Sequence, residues 1–240
     1  MKILKLALKH ETAMPVLALL IASGACVALV MARIASTGNL RYSFLTWNLF
    51  LAWLPLIFAL LACERYQGAA RWNLAFVSLA GAWLLFFPNA PYIFTDLIHL
   101  NSRHLGHFWV DLVLILLCAV TGLVLGFLSL YLMQSVVERM FGRAVSWLFI
   151  CGVAALSGFG IYLGRFMRFN SWDVLFKPRQ VYHGIGSWVA DPLANSTSFV
   201  FPILFGAFLF LSYLMLFALT HLRPAQAMAL PRRNEQAAAI

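Results

Sequence analysis

Asp96 and His99 stand three residues apart in the run Pro88-Asn89-Ala90-Pro91-Tyr92-Ile93-Phe94-Thr95-Asp96-Leu97-Ile98-His99-Leu100. The two prolines stop any helix that precedes them. If Tyr92–Leu100 then forms two helical turns, Thr95, Asp96 and His99 share a face, with apolar side chains on the rest. A carboxylate beside an imidazole at this spacing can pass a proton or hold a metal. The plainer alternative is that Asp96 orients His99, or pairs with an arginine, and merely fixes the segment.

A second set is His104, His107 and Asp111, where His107 and Asp111 are four residues apart. Asp111 follows Trp109 into an apolar run, so its carboxylate needs a partner inside the protein. An ion pair with Arg165 or Arg168 is one solution. A metal held by His99, His107 and Asp111 is another with the right ligand types. The third set is Gly164-Arg165-Phe166-Met167-Arg168-Phe169-Asn170-Ser171-Trp172-Asp173. Arginine forks suit carboxylate or phosphate, so Arg165 and Arg168 are candidate ligands for an anionic head group, or partners for Asp96, Asp111 and Asp173. Gly160 and Gly164 form a small-x-x-x-small pair that predicts close packing there, with Gly126 as a position expected to tolerate bulk. A weaker group is Arg41, Tyr42, Trp47 and Asn48. Its aromatic rings read as interfacial anchors and Asn48 as an interhelical hydrogen bond.

The elements that must carry these residues are membrane helices. Of 240 residues, 63% are hydrophobic and 10% charged, with a mean hydropathy of +0.87. Soluble domains carry about 25% charged residues. Six apolar runs, roughly 14–32, 44–63, 72–87, 109–133, 145–163 and 199–220, approach or exceed the ~20 residues that span a bilayer. This predicts an all-α polytopic bundle with two long outer loops, about 88–108 and 164–198. Both loops are rich in aromatics, which argues for order.

Ten of the 17 Lys and Arg fall on the side of the N-terminus, which favours both ends inside. The same threading puts Asp96, Asp111, Asp173 and Asp191 outside with His183, and Glu11, Glu64, Glu138 and Glu235 inside. Residues 1–224 read as one transmembrane domain and 225–240 as a disordered cytoplasmic tail. Cys26, Cys63, Cys118 and Cys151 are isolated and read as buried thiols. The net charge of +9 does not point to nucleic acid, because basic residues sit mostly between apolar runs.

The stretches PNAPYIFTDLIHL, WVDL and GRFMRFNSWD resemble the signature of a family of bacterial polytopic integral membrane proteins known only as a domain of unknown function. The resemblance covers about residues 41–220. It implies the six-span architecture and a bacterial cytoplasmic membrane, and supplies no activity. From the residues themselves, the expected site has Asp96, His99, Asp111 and Asp173 as acid–base or catalytic groups. Arg165, Arg168, Asn170 and Tyr92 would bind substrate. The expected partners are membrane lipids, including a lipid-linked anionic substrate at the outer leaflet. The alternative is a non-catalytic envelope protein (transporter, proton pathway or assembly partner) whose outer charges are structural pairs. The sequence leaves metal, cofactor and oligomeric state open.

Overall fold

A computed structural model describes residues 10–68, 73–100, 105–190 and 196–220. Six long apolar helical stretches carry the architecture, at 13–37, 43–66, 74–99, 108–141, 143–166 and 199–220. The helices are α1 (His10–Thr37), α2 (Ser43–Gly68), α3 (Leu74–Phe86) and α4 (Asn89–Tyr92), followed by a 3-10 helix (Ile93–His99). Then come α5 (Leu105–Phe141), α6 (Arg143–Phe166), α7 (Asp173–Phe176), α8 (Pro178–Ala190) and α9 (Ser196–Thr220). There is no strand among the described residues. In a bilayer this follows from the backbone, whose polar groups are satisfied within each helix. The chain is an all-α multi-pass membrane bundle.

The long helix α5 is the hub. It packs on α1, α2, α4, the 3-10 helix and α6. Its most apolar window is 61% buried, against 17% for that of α1, so α5 sits at the centre and α1 at the rim. At 37 residues it is about 56 Å long, well beyond a ~30 Å hydrocarbon core, and must tilt or project. Buried interhelical hydrogen bonds join Trp83 Nε1 to Ser129 Oγ (3.1 Å) and Tyr213 to Gln134.

The third span differs from expectation. The run from Pro88 does not leave the bundle as a loop; it continues as α4 and the 3-10 helix and packs on α2 and α5. Ala90, Pro91, Ile93 and Asp96 are buried. Prolines at 88 and 91 remove two backbone donors and break the α ladder without ending the span. Asn89 Nδ2 donates to the Phe86 carbonyl at 3.0 Å, which satisfies a group the break leaves free. Glycines on α5 admit this segment. A Cβ on Gly122 would lie 2.7 Å from the Ala90 carbonyl oxygen, and one on Gly126 3.1 Å from the Ala90 Cβ. Gly126 is therefore a packed position, not the tolerant one expected.

Gly160 and Gly164 do mark a contact. Cβ atoms there would meet the Pro88 ring at 3.0 Å and the Tyr92 ring at 3.2 Å. The closest backbone approach lies two residues before Gly160, at Gly158. Its Cβ would strike the Pro202 carbonyl oxygen and sit 2.9 Å from the Gly206 nitrogen on α9.

Alternating the six spans places Asp96, Asp111 and Asp173 at one end of the bundle and Glu64 and Glu138 at the other. A cysteine at exposed Ser187 on α8 should react with an impermeant thiol reagent from outside intact cells. One at exposed Arg143 should not, and the reverse pattern would invert the topology.

Candidate functional site: a closed ion pair beside an outer crevice

Asp96 is 1% exposed, midway along the 3-10 helix. Arg165 in the last turn of α6 reaches it with Nη2. The rest of the guanidinium is also engaged. Nε and Nη2 donate to Thr95 Oγ1 at 3.0 and 2.6 Å, and Nη1 lies 3.3 Å from His99 Nε2. An arginine N–H can only donate, so Nε2 facing it serves as the acceptor. The guanidinium carbon stands 4.6 Å from the centre of the Tyr92 ring, a cation–π contact. Asn48 Nδ2 on α2 donates to the other Asp96 oxygen at 2.8 Å. Three elements thus meet on one carboxylate. His99 Nε2 is 4.0 Å from Asp96 Oδ1, while its side chain is 44% exposed and its ring packs edge-on against Phe44.

Asp111 does not join Arg165 or Arg168, as the sequence reading allowed. It takes a two-pronged bond from Arg33 at the end of α1, with Nη2 to Oδ2 at 3.1 Å, and a hydrogen bond from the Tyr42 hydroxyl at 2.9 Å. Burial, then this hydrogen bond, raises the Tyr42 phenol above its ordinary range. Arg33 Nη1 is buried without a hydrogen-bond partner among the described residues. Asp173 is separate again. It accepts the Asn170 backbone N–H at 2.8 Å and the Asn170 amide at 3.3 Å, and Lys177 lies 3.5 Å away. The backbone N–H, then the lysine, hold its carboxyl below the usual range. Its visible role is to staple the turn before α7, because both of its strongest contacts are local.

Arg168 is exposed and adopts φ +59°, a left-handed conformation uncommon for a residue with a Cβ. Among the described residues it forms no ion pair. His104, Asp191 and residues 225–240 lie outside the described residues, as does the side chain of His107. Among the described residues no three metal-ligating side chains come together.

A crevice of about 470 Å³ opens between α2, α3, α6 and the segment 169–181. Its polar lining is Asn48, Asn89, Tyr92, Asn170 and Ser171, and its remaining walls are apolar. Asn89 Nδ2 donates to Ser171 Oγ at 2.9 Å and so ties α4 to the turn before α7. Rim residues Trp47, Leu156 and Val174 are 55%, 55% and 45% exposed, on a surface that faces lipid in a membrane. Asn48 and Tyr92 touch both the crevice and the Asp96–Arg165 pair. Asp96, His99 and Arg165 themselves are not in the lining.

Arg33 is the partner sequence reasoning does not single out, whereas Thr95 is read as sharing a face with Asp96 and His99, and Asn48 as an interhelical hydrogen bond. Arg33 carries no signal beyond its place at the end of an apolar run.

Fold and site together define a multi-pass helical membrane protein with a polar cluster and a lateral crevice at one end. Residues 47–212 match the model of the family described as a protein of unknown function, DUF1361, and the chain belongs to that family. No curated protein and no solved structure matches it. Asp96, Asp111, Arg165 and the crevice lining fall inside the matched range, whereas Arg33 and Tyr42 precede it.

Proposed function

We propose that this is a protein of the bacterial cytoplasmic membrane that binds a lipid or lipid-linked anionic molecule from the outer leaflet. The ligand's apolar part lies in the crevice between α2, α3 and α6. Its head lies against Asn89, Asn170 and Ser171, with Arg168 two residues before Asn170 in the chain. The observation that carries the reading is the crevice itself: apolar walls, a polar end and a lipid-facing rim. Its volume is in the range of small-molecule sites, about 300–1,000 Å³. Arg168 is exposed and without an ion pair among the described residues, so it is available to an anionic head. Arg165 is not, because all three of its nitrogens have partners within the protein. The Asp96–Arg165 and Asp111–Arg33 pairs serve as structural ties across helix ends, which favours a binding role over a catalytic centre built on those carboxylates.

The test is co-purification. The protein extracted with native lipid should retain a bound lipid in native mass spectrometry, and Leu84→Trp or Leu156→Trp should remove it without changing folded yield. These rim residues are exposed, so the larger ring fills the crevice and not the core. Retention unchanged in both variants would refute the site. A catalytic second reading rests on His99, an exposed imidazole beside a buried carboxylate. It requires that lipid mass changes on incubation with the protein, and that His99→Gln stops the change.

A further inference from the structure

A second, larger crevice lies in the opposite half of the bundle, between α1, α2, α5 and α9, with a volume of about 1060 Å³. Leu19, Leu60, Phe127 and Phe217 stand for its walls, which are largely apolar. Packing explains the gap. α1 rests on α2 and α5, while α9 rests on α6, so the α5 face between α1 and α9 is left uncovered. Val120, Val124 and Tyr131 on that face are 48%, 36% and 42% exposed.

The polar groups are not spread evenly. Tyr66, Ser135, Arg139 and Thr220 line the crevice near the ends of α2, α5 and α9, on the Glu64–Glu138 side. Arg139 is exposed and forms no ion pair among the described residues, although Glu138 adjoins it in sequence. Tyr213 on the wall is hydrogen-bonded to Gln134, whose Nε2 is buried with no partner among the described residues. The crevice is thus apolar along its length, cationic at one end and open to the side. The Lys/Arg bias makes that end cytoplasmic, and the cytoplasmic leaflet is the one rich in anionic lipid.

We propose that this crevice is a specific site for an anionic phospholipid of the inner leaflet. Its acyl chains lie along α5 and its phosphate is bound by Arg139. The occupant follows from charge: a zwitterionic lipid fills the apolar walls equally well, but its own ammonium offsets the phosphate that faces Arg139, whereas an anionic lipid brings a net negative charge to it. This site shares no lining residue with the outer crevice, so either can fail alone.

The experiment uses the full chain in nanodiscs of phosphatidylcholine, titrated with phosphatidylglycerol and read by native mass spectrometry. Phosphatidylglycerol should be retained in preference to phosphatidylcholine. Arg139→Gln should weaken that retention about fivefold, the effect expected of one cation at an anionic surface. Arg143→Gln, on an exposed residue outside the lining, should leave it unchanged. Val124→Trp should block retention at unchanged folded yield. Equal retention of the two lipids, or indifference to Arg139→Gln, would overturn the proposal. So would a dimer trapped by a disulfide across Val124→Cys, which would show that a second copy covers this face.

Discussion

Arg165→Ala should lower unfolding stability by about 3–5 kcal/mol, because it leaves the Asp96 carboxylate buried without its counter-charge. Asp96→Ala should do comparable harm from the other side, since Arg165 is largely buried too, at 15% side-chain exposure. The double variant Asp96→Ala/Arg165→Ala should be less damaged than the sum of the two. Apolar replacement of both removes the uncompensated charge together with its partner. Reversible unfolding in mixed micelles measures all four corners of the cycle. Coupling of several kcal/mol identifies a structural tie between the 3-10 helix and α6. Single-variant losses below about 1 kcal/mol, in the range of an exposed pair, would mean that the cluster is open to solvent and available to a ligand.

Gly158→Leu should nearly abolish folded protein. A side chain there meets the Pro202 carbonyl oxygen and the Gly206 nitrogen, both backbone atoms of α9 that cannot rotate away. Overpacking commonly costs about 1–3 kcal/mol, and a helix that must separate from its neighbour exceeds that range. Gly152→Leu is the control. Its Cβ meets nothing within 4 Å, so only helix propensity changes, in favour of the variant. Gly160→Leu should fall between, because its neighbour is the Pro88 ring and not a backbone. Fluorescence-detected size exclusion orders the three. Equal yields for Gly158→Leu and Gly152→Leu would show that α6 and α9 are not packed as described.

The six spans were readable because length and apolarity alone decide whether a helix can cross a bilayer. Their ends were not. Pro88 and Pro91 look like a stop, yet the chain tightens into a 3-10 helix and continues to His99, held by packing on α5 that no local rule reveals. The contact of Asp96 with an outer arginine was among the readings the sequence allowed. That Arg165 and not Arg168 makes it depends on where α6 ends. Arg165 is still in the helix facing Thr95, whereas Arg168 falls in the left-handed turn beyond it. The partner of Asp111 was hidden for a different reason. Arg33 lies 78 residues away, on a rim helix whose rotation the sequence does not record. Asp173 looked like a third carboxylate of the site and instead binds its own turn, as aspartates near helix starts commonly do.

The outer crevice is tested most directly by mapping where lipid touches the protein. A photoactivatable phospholipid with its reactive group in the acyl chain, incorporated in cells and activated before extraction, should crosslink to Trp47, Leu84, Leu156 and Val174 when peptides are sequenced. Leu156→Trp should suppress those adducts while labelling of the exposed α1 residues Leu17 and Ile21 persists. Adducts spread evenly over all exposed apolar residues, with no enrichment at the crevice and no response to Leu156→Trp, would contradict the account.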